Sequence, residues 1–125
     1  MSNQKINKLI SILNNQDLDA LALVPGSNFR YATGGNFNLM ERPTLFIVSK
    51  TCRPIAILPV LEVESFTQLN IEADIVEWQD SDGYQEAFDK VFNKLDSISK
   101  IGVEGQRMRV FEMQAIKKSL QNITI

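Results

Sequence analysis

Short runs of β-prone apolar residues alternate along this chain with segments whose apolar residues recur every three or four positions. That alternation constrains the fold more than any other feature, because a strand–helix rhythm requires a central sheet covered on both faces. Ile6, Leu9, Ile10 and Leu13 follow the spacing of an amphipathic helix, which Asn14 and Asn15 end. Residues 18–24 read as a buried strand broken by Pro25 and Gly26. Ser27 is placed to cap a short helix through Phe29, Tyr31 and Ala32, which Gly34 and Gly35 stop. Residues 36–43 form a loop. Residues 44–49 and 55–58 are rich in Ile, Val, Leu and Phe and predict an antiparallel hairpin around a longer connection. Pro59 closes the second of these strands. A helical pattern over 60–69 then carries Val60, Val63, Phe66 and Thr67. Residues 74–78 read as a strand, and Asp82 as the cap of a helix whose Phe88, Val91, Phe92 and Leu95 make one apolar stripe. A strand over 101–104 and a helix over 110–120 follow, and Ile123, Thr124 and Ile125 read as a strand just begun. The order α-β-α-β-β-α-β-α-β-α-β predicts a three-layer α/β domain. Its sheet is mixed, with five or six strands, helices on both faces and an antiparallel section from the hairpin.

A length of 125 residues suits one domain, and 44% hydrophobic residues supply one sizeable core. The net charge of -2 offers no basic face for a phosphate backbone, so no nucleic-acid partner is expected. The longest apolar runs, residues 20–24 and 45–48, are too short to span a bilayer, and no membrane partner is expected. The polar opening, Met1 to Lys5, lacks the apolar stretch of a signal peptide. A single cysteine, Cys52, excludes an intrachain disulfide and fits a cytoplasmic protein. The β-prone end at Ile125 is read as a cut at a domain boundary, with a short natural terminus as the alternative.

The chain contains no histidine. Zinc sites of the Cys/His type and Ser-His or Cys-His nucleophile pairs therefore cannot be assembled from it. Carboxylates remain, at Glu62, Glu64, Glu72, Asp74 and Glu77. Glu62 and Glu64 are two apart in a predicted helix and so face different directions. A solvated face is expected there, with neither a metal site nor a catalytic residue in this chain.

Several segments resemble the N-terminal domains of the creatinase/prolidase family. Residues 19–34 are similar to that family's opening strand and helix, in which a strand is followed by Asn and then Tyr-Leu-Thr-Gly. Here Asn28 and Tyr31-Ala32-Thr33-Gly34 stand at those places, with Ala32 for the usual Leu. Glu41-Arg42-Pro43 before a hydrophobic hairpin resembles the matching segment of Xaa-Pro peptidases and of creatinase. Pro59-Val60-Leu61-Glu62 is like the family's Pro-x-Leu-Glu step from strand to helix, and Ile101-Gly102-Val103-Glu104 like its late strand. The resemblance implies a domain of ribonuclease-H-like outline and no catalytic role. It implies a C-terminal "pita-bread" domain, absent from this chain, that holds two divalent metal ions (Mn, Co or Zn) and acts on proline-containing peptides. It also implies a homo-oligomer in which the N-terminal domain pairs protomers and gates the substrate. The alternative is a free-standing interaction module of the same fold. A ribonuclease-like nucleic-acid enzyme would need carboxylates converging on strand ends, and the strands here carry mostly apolar residues.

Arg42 is the foremost candidate for substrate binding. By resemblance to the Arg-Pro step of creatinase it would reach a substrate carboxylate, which a guanidinium grips through two parallel hydrogen bonds. The plain alternative is a loop arginine paired with Glu41 or water. Phe37 and Met40 either line a substrate cleft or cover the hairpin. Asn28 is expected to hold the turn after the first strand more than to touch substrate. Tyr31 is expected in the core with its hydroxyl hydrogen-bonded, a substrate contact being the other possibility.

Overall fold

The computed structural model describes residues 2–25, 27–33, 35, 44–49, 53–79, 81–95, 100–103 and 108–119. Helix α1 (Ser2–Asn15) ends as its spacing requires: Asp17 takes a left-handed φ of 56°, and the Leu18 N–H donates to Leu13 O at 2.9 Å. This closes a Schellman-type stop and turns the chain into β1 (Ala20–Leu23). Then come α2 (Ser27–Thr33), β2 (Leu45–Ser49) and β3 (Ile55–Pro59). The predicted helix over 60–69 is split into a 3-10 turn, Val60–Glu62, and a short α3, Val63–Thr67. Strand β4 (Asp74–Trp78), helix α4 (Gln85–Lys94), strand β5 (Ile101–Val103) and helix α5 (Val110–Ser119) complete the order. The predicted terminal strand over 123–125 lies outside the described residues.

The five strands form one sheet in the order β4-β3-β2-β1-β5. β1 pairs with β5 and β3 with β4 in parallel, while β2 is antiparallel to both β1 and β3. Only β2 runs against the others, so the sheet is mixed as expected.

The side-chain alternation of the strands builds two cores. Ala20, Ala22, Leu45, Ile47, Ile55 and Ile57 point to the face covered by α4 and α5, where Phe88, Val91, Phe92, Leu95 and Ile116 are buried. Leu23, Phe46, Val48, Ala56 and Leu58 point the other way, onto Ile6, Leu9 and Leu13 of α1, Ala32 of α2 and Phe66 of α3. Helices cover both faces, giving three layers.

Two sequence expectations fail locally. Asp82 does not cap α4: its N–H, with that of Gly83, donates to Gln79 O, and the cap residue is Tyr84, with no side-chain hydrogen bond. The turn needs a left-handed residue before the helix, and Gly83 supplies it at φ 77°. Val60, counted on the buried face of the predicted helix, is 40% exposed, because the 3-10 turn rotates it away from Phe66.

Candidate functional site

Since β1, β3, β4 and β5 run one way, their carboxyl ends share one edge of the sheet with the start of β2. In sheets of this kind ligands gather outside the carboxyl ends of the strands, where the connections diverge. Helix α2 leaves β1 there, the 3-10 turn leaves β3, the turn at 79–83 leaves β4, and α5 follows β5. The described residues that flank 36–43 in the chain are Gly35, after α2, and Thr44, before β2 at this edge. Both anchors of that segment are buried. On one side the Gly35 N–H donates to Thr33 Oγ1 at 3.0 Å, and on the other Thr44 is only 4% exposed.

The predicted site residues divide accordingly. Phe37, Met40 and Arg42 lie outside the described residues. Asn28 is placed within α2 by its backbone, and its side chain is outside the described set. Tyr31 is not a core residue: it is 40% exposed, while its neighbour Ala32 takes the buried position against α1. A seven-residue helix presents one narrow buried stripe, and the small side chain fits under it. Asn28 and Tyr31 thus share a helix that starts at the carboxyl edge, within the same connection as residues 36–43.

A second feature of this edge escaped sequence reasoning. Arg109 precedes α5, and Glu112, in its first turn, is fully buried. Glu112 Oε1 accepts from the Arg109 backbone N–H at 2.9 Å and from its Nε at 3.3 Å, and Oε2 accepts from Nη2 at 3.0 Å. The carboxylate satisfies the free N–H at the helix start and neutralises the guanidinium beside it. An arginine three residues before a glutamate at a helix start was the available signal.

Elsewhere the chemistry is sparse. Among the described residues no three His, Cys, Asp or Glu side chains are grouped so as to hold a metal ion. Glu62, Glu64, Glu72, Asp74 and Glu77 are spread over a 3-10 turn, a helix, a bend and a strand, and Asp74 is taken by Arg53 at 2.9 Å. The described residues therefore bring together no donor set for a metal pair, which the family resemblance assigns to a separate catalytic domain. A cleft of about 440 Å³ lies in the α4/α5 layer, lined by Tyr84, Gln85, Gln114, Ala115, Lys117 and Lys118, on the opposite face from α2. No helix among the described residues is long and apolar enough to cross a membrane.

Comparison with known proteins agrees with this architecture. The fold matches the N-terminal domain of an Xaa-Pro dipeptidase from Lactobacillus brevis with a TM-score of 0.87 at 17% identity, over 97% of this chain and 91% of that one. It matches a prolidase from Thermococcus sibiricus with a TM-score of 0.86 at 21% identity, over 99% of this chain but 34% of that one. In sequence, an uncharacterised peptidase of Staphylococcus aureus is 30% identical over 91 residues, which is 73% of this chain and 26% of the relative. The chain thus spans about a quarter of that curated relative's length. The sequence profile of the creatinase/prolidase N-terminal domain matches residues 5–125, and the chain belongs to that family.

Proposed function

We propose that this chain is the non-catalytic N-terminal domain of an Xaa-Pro metallopeptidase and serves oligomerisation and substrate gating. The observation that carries the proposal is the family match over nearly the whole chain, on a fold with no grouped metal ligands among the described residues. Hydrolysis then belongs to a separate catalytic domain holding two divalent cations, Mn, Co or Zn. The substrate is a proline-containing peptide, and the whole enzyme works as a cytoplasmic homo-oligomer. This domain's share is recognition. Asn28 and Tyr31 of α2, with Phe37, Met40 and Arg42 of the connection from β1 to β2, are its substrate contacts. Pro43 fixes its own φ and holds Arg42 toward extended backbone, which favours a projecting guanidinium.

The test is steady-state kinetics of the full-length enzyme on Xaa-Pro peptides. Arg42→Ala is expected to lower kcat/KM by a charge-assisted hydrogen bond's worth, about 1.5–3 kcal/mol, or on the order of 10- to 150-fold. Arg42→Lys is expected to recover part of that loss, because an ammonium cannot make the two-pronged contact. An unchanged kcat/KM in the alanine variant would return Arg42 to a solvated loop charge.

A further inference from the structure

The cleft of about 440 Å³ in the α4/α5 layer lies on the opposite face of the sheet from α2, and the proposed function makes no use of it. Its size falls within the range of small-molecule sites. Two contacts fix its walls. Gln85 Nε2 donates to Ala115 O at 3.0 Å and to Asp89 Oδ1 at 3.3 Å, which ties the start of α4 to α5. Tyr84 stands edge-on between Trp78 and Phe88, with ring centroids 5.8 Å apart in each pair. The half-buried Tyr84 and the buried Ala115 give the cleft a firm apolar floor. Its charge is of one sign. Lys117 and Lys118 are both exposed lining residues, and no carboxylate lines the cleft with them. Successive residues diverge by about 100° around a helix, yet both lysines reach this one cleft. Neither makes an ion pair among the described residues. The chain has 15 acidic residues against 13 basic ones, so composition does not explain a purely cationic cleft. The carbonyl end of α5 favours a cation in its last turn, which accounts for a lysine there but not for two over a formed cleft.

We infer that this cleft is a binding site for a small organic anion, a carboxylate or phosphate carried on a flat apolar body. The body lies against Tyr84 and Ala115, and the anionic group takes hydrogen bonds from the ammonium groups of Lys117 and Lys118. An ammonium is a compact charge with three rotatable donors, so it accepts either headgroup, where a guanidinium would demand planar, two-pronged geometry. The anion also relieves the repulsion between the two lysines. A neutral ligand of the same shape leaves that repulsion in place. Because the walls are already fixed, only the lysine side chains lose freedom on binding, which keeps the cost of association low. Two lysines in a chain of net charge -2 do not make a track for a polyanion, so the ligand is small. The inference stands whether or not the chain belongs to an active peptidase.

Amide NMR titration of the 125-residue chain tests this, with 3-phenylpropionate as the anion and 3-phenylpropionamide as its neutral counterpart. The anion is expected to shift the amides of 84–86 and 114–118 saturably, with a Kd of millimolar order or tighter, as its size allows. The amide is expected to bind at least about tenfold more weakly, the loss of a charge-assisted hydrogen bond. Acetate, which has the charge without the body, is expected not to saturate. Lys117→Gln combined with Lys118→Gln should weaken the anion at least about tenfold and leave the amide unchanged. Both lysines are exposed, so the variant is expected to keep the dispersed spectrum of the folded chain. Phenyl phosphate decides the headgroup: tighter binding than 3-phenylpropionate assigns a phosphate ligand, weaker binding a carboxylate. Equal affinity for anion and amide, full affinity in the double variant, or saturable shifts confined to other residues would each overturn the site.

Discussion

The two edges of the sheet hold the same kind of interaction in opposite settings. At the amino edge Arg53 meets Asp74 at 2.9 Å and Lys100 meets Asp17 at 3.1 Å, with side chains 40% to 87% exposed. At the carboxyl edge Arg109 meets Glu112 at 3.0 Å, with the carboxylate fully buried and the guanidinium 31% exposed. Water and salt screen the first two pairs, so they contribute little stability and chiefly keep that edge polar. The third has a fully buried carboxylate, and removing one partner strands the other. The amino-edge pairs lie at the surface, whereas the Arg109–Glu112 pair is drawn inside at its carboxylate. The difference separates ion pairs that solvent screens from one whose carboxylate is shielded from it.

Four substitutions sharpen or break this contrast, each read as a urea-melt difference. Phe92→Ala sets the scale, because Phe92 is 2% exposed in the core shared by both edges; it should cost about 3–5 kcal/mol. A loss below about 1 kcal/mol would mean that the α4 stripe is not packed on the sheet. Glu112→Ala should cost about 2–3 kcal/mol, less than a fully buried pair, because Arg109 can still reach water. Asp74→Asn should cost less than about 1 kcal/mol and nothing measurable in molar salt. If Asp74→Asn proves costlier than Glu112→Ala, the contrast between the edges is wrong. Leu61→Asp should move stability by no more than about 0.5 kcal/mol in the 1–125 chain, since nothing there covers the side chain.

The layered fold was legible because each strand writes its two faces into alternate residues. Leu45 and Ile47 go to one core, Phe46 and Val48 to the other, and Phe88, Val91, Phe92 and Leu95 fall on one helix face. Three readings failed where local geometry, not periodicity, decides. Asp82 looked like a cap, but the left-handed Gly83 placed the helix start beyond its reach. Val60 fitted a helical count that the 3-10 turn breaks, and Tyr31 was assigned to the core on its aromatic character although Ala32 fills that place. The Arg109–Glu112 pair was missed because its value lies in burial, which charge spacing alone does not reveal. The family resemblance rested on short motifs in the right order, and the profile match over residues 5–125 bears it out. Residues Phe37, Met40 and Arg42 remain proposals from sequence.

The central claim is that this domain serves recognition while the metal chemistry lies elsewhere. Calorimetric titration of the folded 1–125 chain with Mn²⁺, Co²⁺ and Zn²⁺ tests it most directly. The account predicts no stoichiometric binding, because the chain has no histidine and the described carboxylates do not group. A one-to-one site of micromolar affinity or tighter, about -8 kcal/mol, would contradict it.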